Sequence, residues 1–143
     1  MAKVLDTVFY DGGCALCHRS VRFLVARDRD GSRFRFAPIG GARFRAELSD
    51  EERAGLPDAI AVRTADGQLL VRSAAAIRLA ARLGGVQRVL ARVLARVLAR
   101  VPAALRDRLY DAIARSRYRV FGRVAQECPV IAPELRPRFD LRP

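Results

Sequence analysis

The chain has 143 residues but one histidine, His18, one methionine, Met1, and one lysine, Lys3. With so few strong axial donors, a haem iron would lack a second ligand. No apolar run reaches the length of about 18 residues that a membrane-spanning helix needs. The start, Met1 to Asp6, has no apolar core of the kind a secretory leader carries, so the expected compartment is the reducing cytosol. No long polar linker interrupts the chain, and its length fits one domain with a real core. Three cysteines are too few for a disulfide framework and suit catalysis or metal binding in such a compartment.

Positive charge is plentiful. Lys and Arg total 27 against 15 acidic residues, a formal net charge of +12, and all but Lys3 are arginine. Such a balance invites a nucleic-acid reading. The arginines are spread along the whole chain, however, and form no aromatic-interleaved patch, so a solvated surface is the expectation. Attraction to acidic partners is its salt-sensitive corollary.

The run Asp11-Gly12-Gly13-Cys14-Ala15-Leu16-Cys17 carries the chemistry. It follows the apolar strand pattern Thr7 to Tyr10 and opens the helical pattern Cys14 to Arg27. Residues i and i+3 share one face of a helical turn, so two sulfurs at this spacing can close a small disulfide ring. The helix N-terminus presents unsatisfied N–H groups that favour thiolate at its first cysteine. Cys14 is therefore the expected nucleophile and Cys17 the resolving thiol. Asp11 would either cap the helix or relay a proton to Cys17. Gly12 and Gly13 would line the substrate side.

The remaining pattern orders the fold. Arg33 to Phe36 alternates as a second strand, and Ser49-Asp50-Glu51-Glu52 reads as a helix start within 42–54. Ala59 to Arg63 and Gln68 to Val71 flank Asp66-Gly67 as a hairpin. Ser73 would cap a helix over 74–83 that stops at Gly84-Gly85. The order β-α-β, connector, β-β-α is that of a thioredoxin-like α/β core, with the first two strands parallel neighbours. Pro57, just before the third strand, would be either a substrate-facing cis-proline or a trans residue that starts the strand.

The core is expected over 1–85, a helical extension over 86–126 and a proline-rich, extended tail over 127–143. In Val86 to Val101, Arg88, Arg92, Arg96 and Arg100 recur four apart. They predict a helix with one basic stripe, its Val and Leu side packed on the core. The same pattern suits an interfacial helix on an anionic membrane. Leu105 to Arg123 predicts a further amphipathic helix.

The chain resembles the DCC family of predicted thiol-disulfide oxidoreductases, named for an Asp, Cys, Cys signature that is Asp11, Cys14 and Cys17 here. Arg72-Ser73-Ala74-Ala75-Ala76, the late helix Tyr110 to Tyr118, Cys128-Pro129 and Arg138-Phe139 extend the likeness over nearly the whole chain. The resemblance implies a thioredoxin-like fold and a redox role. At Ala59, after Asp58, many members carry Ser, so that position is given no role here.

Two rival chemistries share the motif. Cys14 to His18 matches a haem-attachment pattern, and Cys14, Cys17, His18 and Cys128 are nominal zinc ligands. Cys17 and His18, adjacent on a helix, point apart. The reading is thus a dithiol enzyme without cofactor or metal. Its substrates are protein or small disulfides, and it is regenerated by a donor of thioredoxin or glutathione type. The alternative is a non-catalytic adaptor docking on acidic partners or membrane through the Arg88, Arg92, Arg96 and Arg100 helix.

Overall fold

The computed structural model describes residues 5–56, 60–123 and 133–139. Pro57, Cys128, Pro129 and Pro143 lie outside them, as do the cis or trans state of Pro57 and any part played by Cys128.

Strand β1 (Asp6–Tyr10) is buried along its whole length. Successive side chains point to opposite faces of a strand, so a run buried throughout must be covered on both sides. Val8 and Tyr10 join one cluster with Val21 and Leu24 of helix α1 (Ala15–Arg27) and Leu79 of helix α4 (Arg72–Arg82). Phe9 joins the other, against Phe44 of helix α2 (Ala42–Glu47), with ring centroids 5.5 Å apart.

Helix α1 is the crossover that returns the chain to β2 (Phe34–Pro38), which pairs in parallel with β1. Strand β3 (Ala61–Arg63) runs antiparallel to β1, and β4 (Leu69–Val71) antiparallel to β3, giving the order β2-β1-β3-β4. This is a thioredoxin-like α/β fold. β2 starts one residue later than the sequence predicts and extends to Pro38, which an edge strand tolerates. Helix α3 (Asp50–Gly55) begins as predicted, with a reciprocal capping box between Ser49 and Glu52.

Expectations change at the start of α4, in α5 and in the tail. Ser73 does not cap α4; Val71 holds the N-cap position, and the Ser73 hydroxyl donates to Asp107 at 2.7 Å on helix α6 (Ala103–Phe121). Beside it, Arg72 sits at φ 55° and donates to Asp111 at 3.0 Å, so the start of α4 is tied to α6. Helix α5 (Gly85–Leu98) does not pack its Val and Leu side on the core. Its only buried residue is Ala91, and Val86, Val89, Leu90, Val93, Leu94 and Val97 are 53–70% exposed. The helix rests on α4 through a narrow small-residue face, which leaves the bulky row outside.

Within the tail, expected to be extended, Pro133–Arg138 wind into a 3-10 helix. Phe139 is buried and stacks on Phe36, centroids 5.0 Å apart, so this part of the tail lies over the fold.

Candidate active site

Cys14 and Cys17 sit at the start of α1, both buried and both reduced thiols. Cys14 itself is the N-cap of α1, its backbone extended and its sulfur accepting the Cys17 N–H at 3.3 Å. A sulfur thus takes the place usually held by a Ser, Thr, Asn or Asp oxygen. The Cys17 thiol is pushed up to about 12, first by burial and then by its hydrogen bond to Cys14 and the Cys14 charge; the Arg117 charge opposes this.

Asp11 is therefore not the helix cap. Its Oδ1 accepts the Gly13 N–H at 2.9 Å, and its backbone carbonyl accepts the Cys14 N–H at 3.2 Å. Its Oδ2 faces α6, where it accepts from Arg117 Nη2 at 3.2 Å and from the Tyr118 hydroxyl. Burial raises the Asp11 carboxyl, but the hydrogen bonds from Tyr118 and Gly13 and the Arg117 charge together hold it below the usual carboxylate range. Tyr118 moves the opposite way, up, through burial and its bond to Asp11. Arg117 is 3% exposed, a guanidinium carried into the interior to meet one carboxylate.

Gly12 and Gly13 are closed into the same loop. His18 Nε2 donates to the Gly12 carbonyl at 2.7 Å, which fixes the proton on Nε2 and occupies that ring nitrogen. The end of α6 folds back over the pair: Gly122, at φ 81°, accepts the Ala15 N–H at 3.3 Å, and Arg123 bridges Cys14 as an antiparallel neighbour. The Arg123 guanidinium lies 3.9 Å from the Tyr118 ring centroid.

Among the described residues, no cluster of three or more His, Cys, Asp or Glu side chains is placed to hold a metal ion. A cavity of about 470 Å3 opens between α1, α4 and α6, with Cys17, Tyr110 and Arg117 in its wall. The cysteines and Asp11 stand out in the sequence, whereas Arg117 and Tyr118, more than a hundred residues from Asp11, do not. The only signal for them was the likeness of the Tyr110 to Tyr118 segment to a family pattern.

Residues 8–123 match the DCC1-like thiol-disulfide oxidoreductase family, a span that includes the cysteine pair and the α6 residues that clasp Asp11. The chain belongs to that family. It is also similar to the uncharacterized protein YuxK of Bacillus subtilis strain 168, with 33% identity over 138 residues, covering 92% of this chain and 91% of the other. No solved structure gives a significant match. Membership places the chain in an enzyme class with a thiol-disulfide oxidoreductase role and disulfide or thiol substrates.

Proposed function

We propose that Cys14 is the nucleophile and Cys17 the resolving thiol of a dithiol cycle. The observation that carries this is the N-cap geometry: the Cys17 N–H points at the Cys14 sulfur from 3.3 Å, at the positive end of α1. Cys14, its proton lost to solvent, attacks one sulfur of a disulfide R–S–S–R. The S–S bond breaks, R–S⁻ departs, and Cys14–S–S–R forms. Cys17 then gives its proton to a departing thiolate and attacks Cys14 sulfur, releasing the second R–S⁻, which takes the proton Cys14 lost. Two thiols become one disulfide, and R–S–S–R gains two electrons and two protons. A thiol donor of thioredoxin or glutathione type reverses the change in the protein.

The order follows from the surroundings of Cys17. Two of the influences that keep it protonated come from Cys14, and both end once Cys14 is in a mixed disulfide. Arg117 remains to favour the Cys17 thiolate. Asp11, ionised and paired with Arg117, positions rather than transfers: it joins the motif loop to α6. Gly12 and Gly13 complete the substrate side in this reading. The test is reduction of 2-hydroxyethyl disulfide by purified protein with glutathione as donor. Cys14→Ser should fall to background. Turnover by Cys14→Ser at the wild-type rate would refute the assignment.

A second feature accompanies the enzyme. The outward Val and Leu row of α5 runs beside the exposed Arg88, Arg92, Arg96 and Arg100. An apolar strip flanked by arginines complements an anionic bilayer surface, with chains at the acyl boundary and guanidinium groups at the phosphates. We read α5 as a peripheral membrane contact lying in the interface plane. No helix among the described residues is long and apolar enough to cross a membrane.

A further inference from the structure

We infer that the cavity between α1, α4 and α6 binds the apolar substituent of a small disulfide, whose sulfur comes to lie beside Cys17, the cysteine in the cavity wall, whose backbone N–H meets the Cys14 sulfur at 3.3 Å. The inference rests on the dithiol reading above and names the substrate class for it. Cys14 is 0% exposed and Cys17 4% exposed, so a bulky protein loop cannot reach either sulfur without displacing the end of α6. A small molecule has a route. The Cys17 thiol is part of the wall of a cavity of about 470 Å3, within the range of about 300–1,000 Å3 common for small-ligand sites.

The lining sets the chemistry. Leu16, Phe23, Leu24, Leu79, Leu83 and Ile113 supply an apolar body. Arg19 and Phe23 are exposed, whereas Cys17 and Arg117 are buried, so the polar, reactive groups lie at the inner end. Arg117 is held by Asp11, and its charge stands ready for the thiolate that develops at that end. An alkyl or aryl disulfide matches this gradient: the hydrocarbon fills the apolar part and the S–S bond lies at the Cys17 end.

The apolar surface also continues. Ala76, Ala80, Tyr110 and Ile113 wall a second cavity of about 690 Å3 between α4, α5 and α6. Longer substituents therefore find more apolar surface.

The experiment is a single turnover of reduced wild-type protein with dimethyl, diethyl, dipropyl and dibutyl disulfides, 2-hydroxyethyl disulfide and insulin. Free dithiothreitol with each disulfide corrects for intrinsic reactivity. The corrected rate constant should rise about four-fold for each methylene buried. Ala80→Phe and Ala114→Phe, which fill the cavity from two different helices, should flatten the rise. A flat wild-type series, or insulin reacting faster than dibutyl disulfide, overturns the apolar-substituent inference while leaving the dithiol reading intact. Failure of every disulfide to oxidise the Cys14 and Cys17 pair overturns the dithiol reading and this inference with it.

Discussion

Cys17 keeps its proton because burial and the neighbouring Cys14 sulfur both oppose a negative charge there. That has a consequence for stability. Below the thiol's ordinary value of 9.0, folded and unfolded chains both hold the proton. Between 9.0 and about 12 the unfolded chain releases it and the folded chain does not. The folded state then binds more protons, so this contribution to stability is lost as pH rises through the window. Denaturant unfolding of wild type and Cys17→Ser from about pH 8 to about pH 11 should show the steeper loss in wild type. Equal slopes would mean that Cys17 is not the group responsible. At this scale the sequence reading went as far as local spacing allows. Two cysteines three apart share a helical turn whatever the rest of the chain does, so their closeness is legible. Arg117 and Tyr118 were not, because an ion pair across more than a hundred residues leaves no periodic trace. Asp11 shows the same limit from the other side. Its place before a helix suggests a cap, but Arg117 and Tyr118 claim one of its oxygens and Gly13 the other.

Among the elements, α5 departs most from expectation. Its period is legible, and the helix lies where the four-residue recurrence of arginine puts it. Its orientation was not. An amphipathic pattern says that one face differs from another, and only the tertiary partner decides which face is inside. Among the described residues its main partner is α4; Ala91 is buried, and six Val and Leu side chains stay outside. The bilayer reading makes a direct prediction. The protein should float with vesicles containing phosphatidylserine and not with phosphatidylcholine alone. Replacement of Arg88, Arg92 and Arg96 by Gln, or of exposed Leu90 by Asp, should abolish flotation. Equal binding of wild type to neutral and anionic vesicles would reject the charge complementarity on which that reading depends. Strand elements were the most legible, because the buried run of β1 and the Asp66-Gly67 turn are set by short-range chemistry.

For the molecule as a whole, the segments that resemble the family pattern converge in space. Asp11 meets Arg117 and Tyr118, Arg72 meets Asp111, and Arg138 donates to buried Asp28. The Asp28 carboxylate accepts from Arg138 Nη2 and from the N–H groups of Ser32, Arg33 and Phe34, so the turn after α1, the start of β2 and the 3-10 helix share it. Asp6, equally buried, draws Arg78 and Arg82 of α4 onto the end of β1. Part of the arginine excess is thus internal wiring, which composition alone assigned to a solvated surface. The fold order could be read from the chain because each element is locally patterned. The clasp of α6 over the motif could not, since it depends on which charged residues meet after folding. The central claim concerns the order of events at the motif: Cys14 attacks and Cys17 resolves. Intact-mass analysis after exposure to 2-hydroxyethyl disulfide tests it most directly. Wild type should lose two hydrogens as the Cys14–Cys17 disulfide forms, and Cys17→Ser should hold one stable adduct mapped to Cys14. An adduct confined to Cys128, or no adduct in Cys17→Ser, would contradict the account.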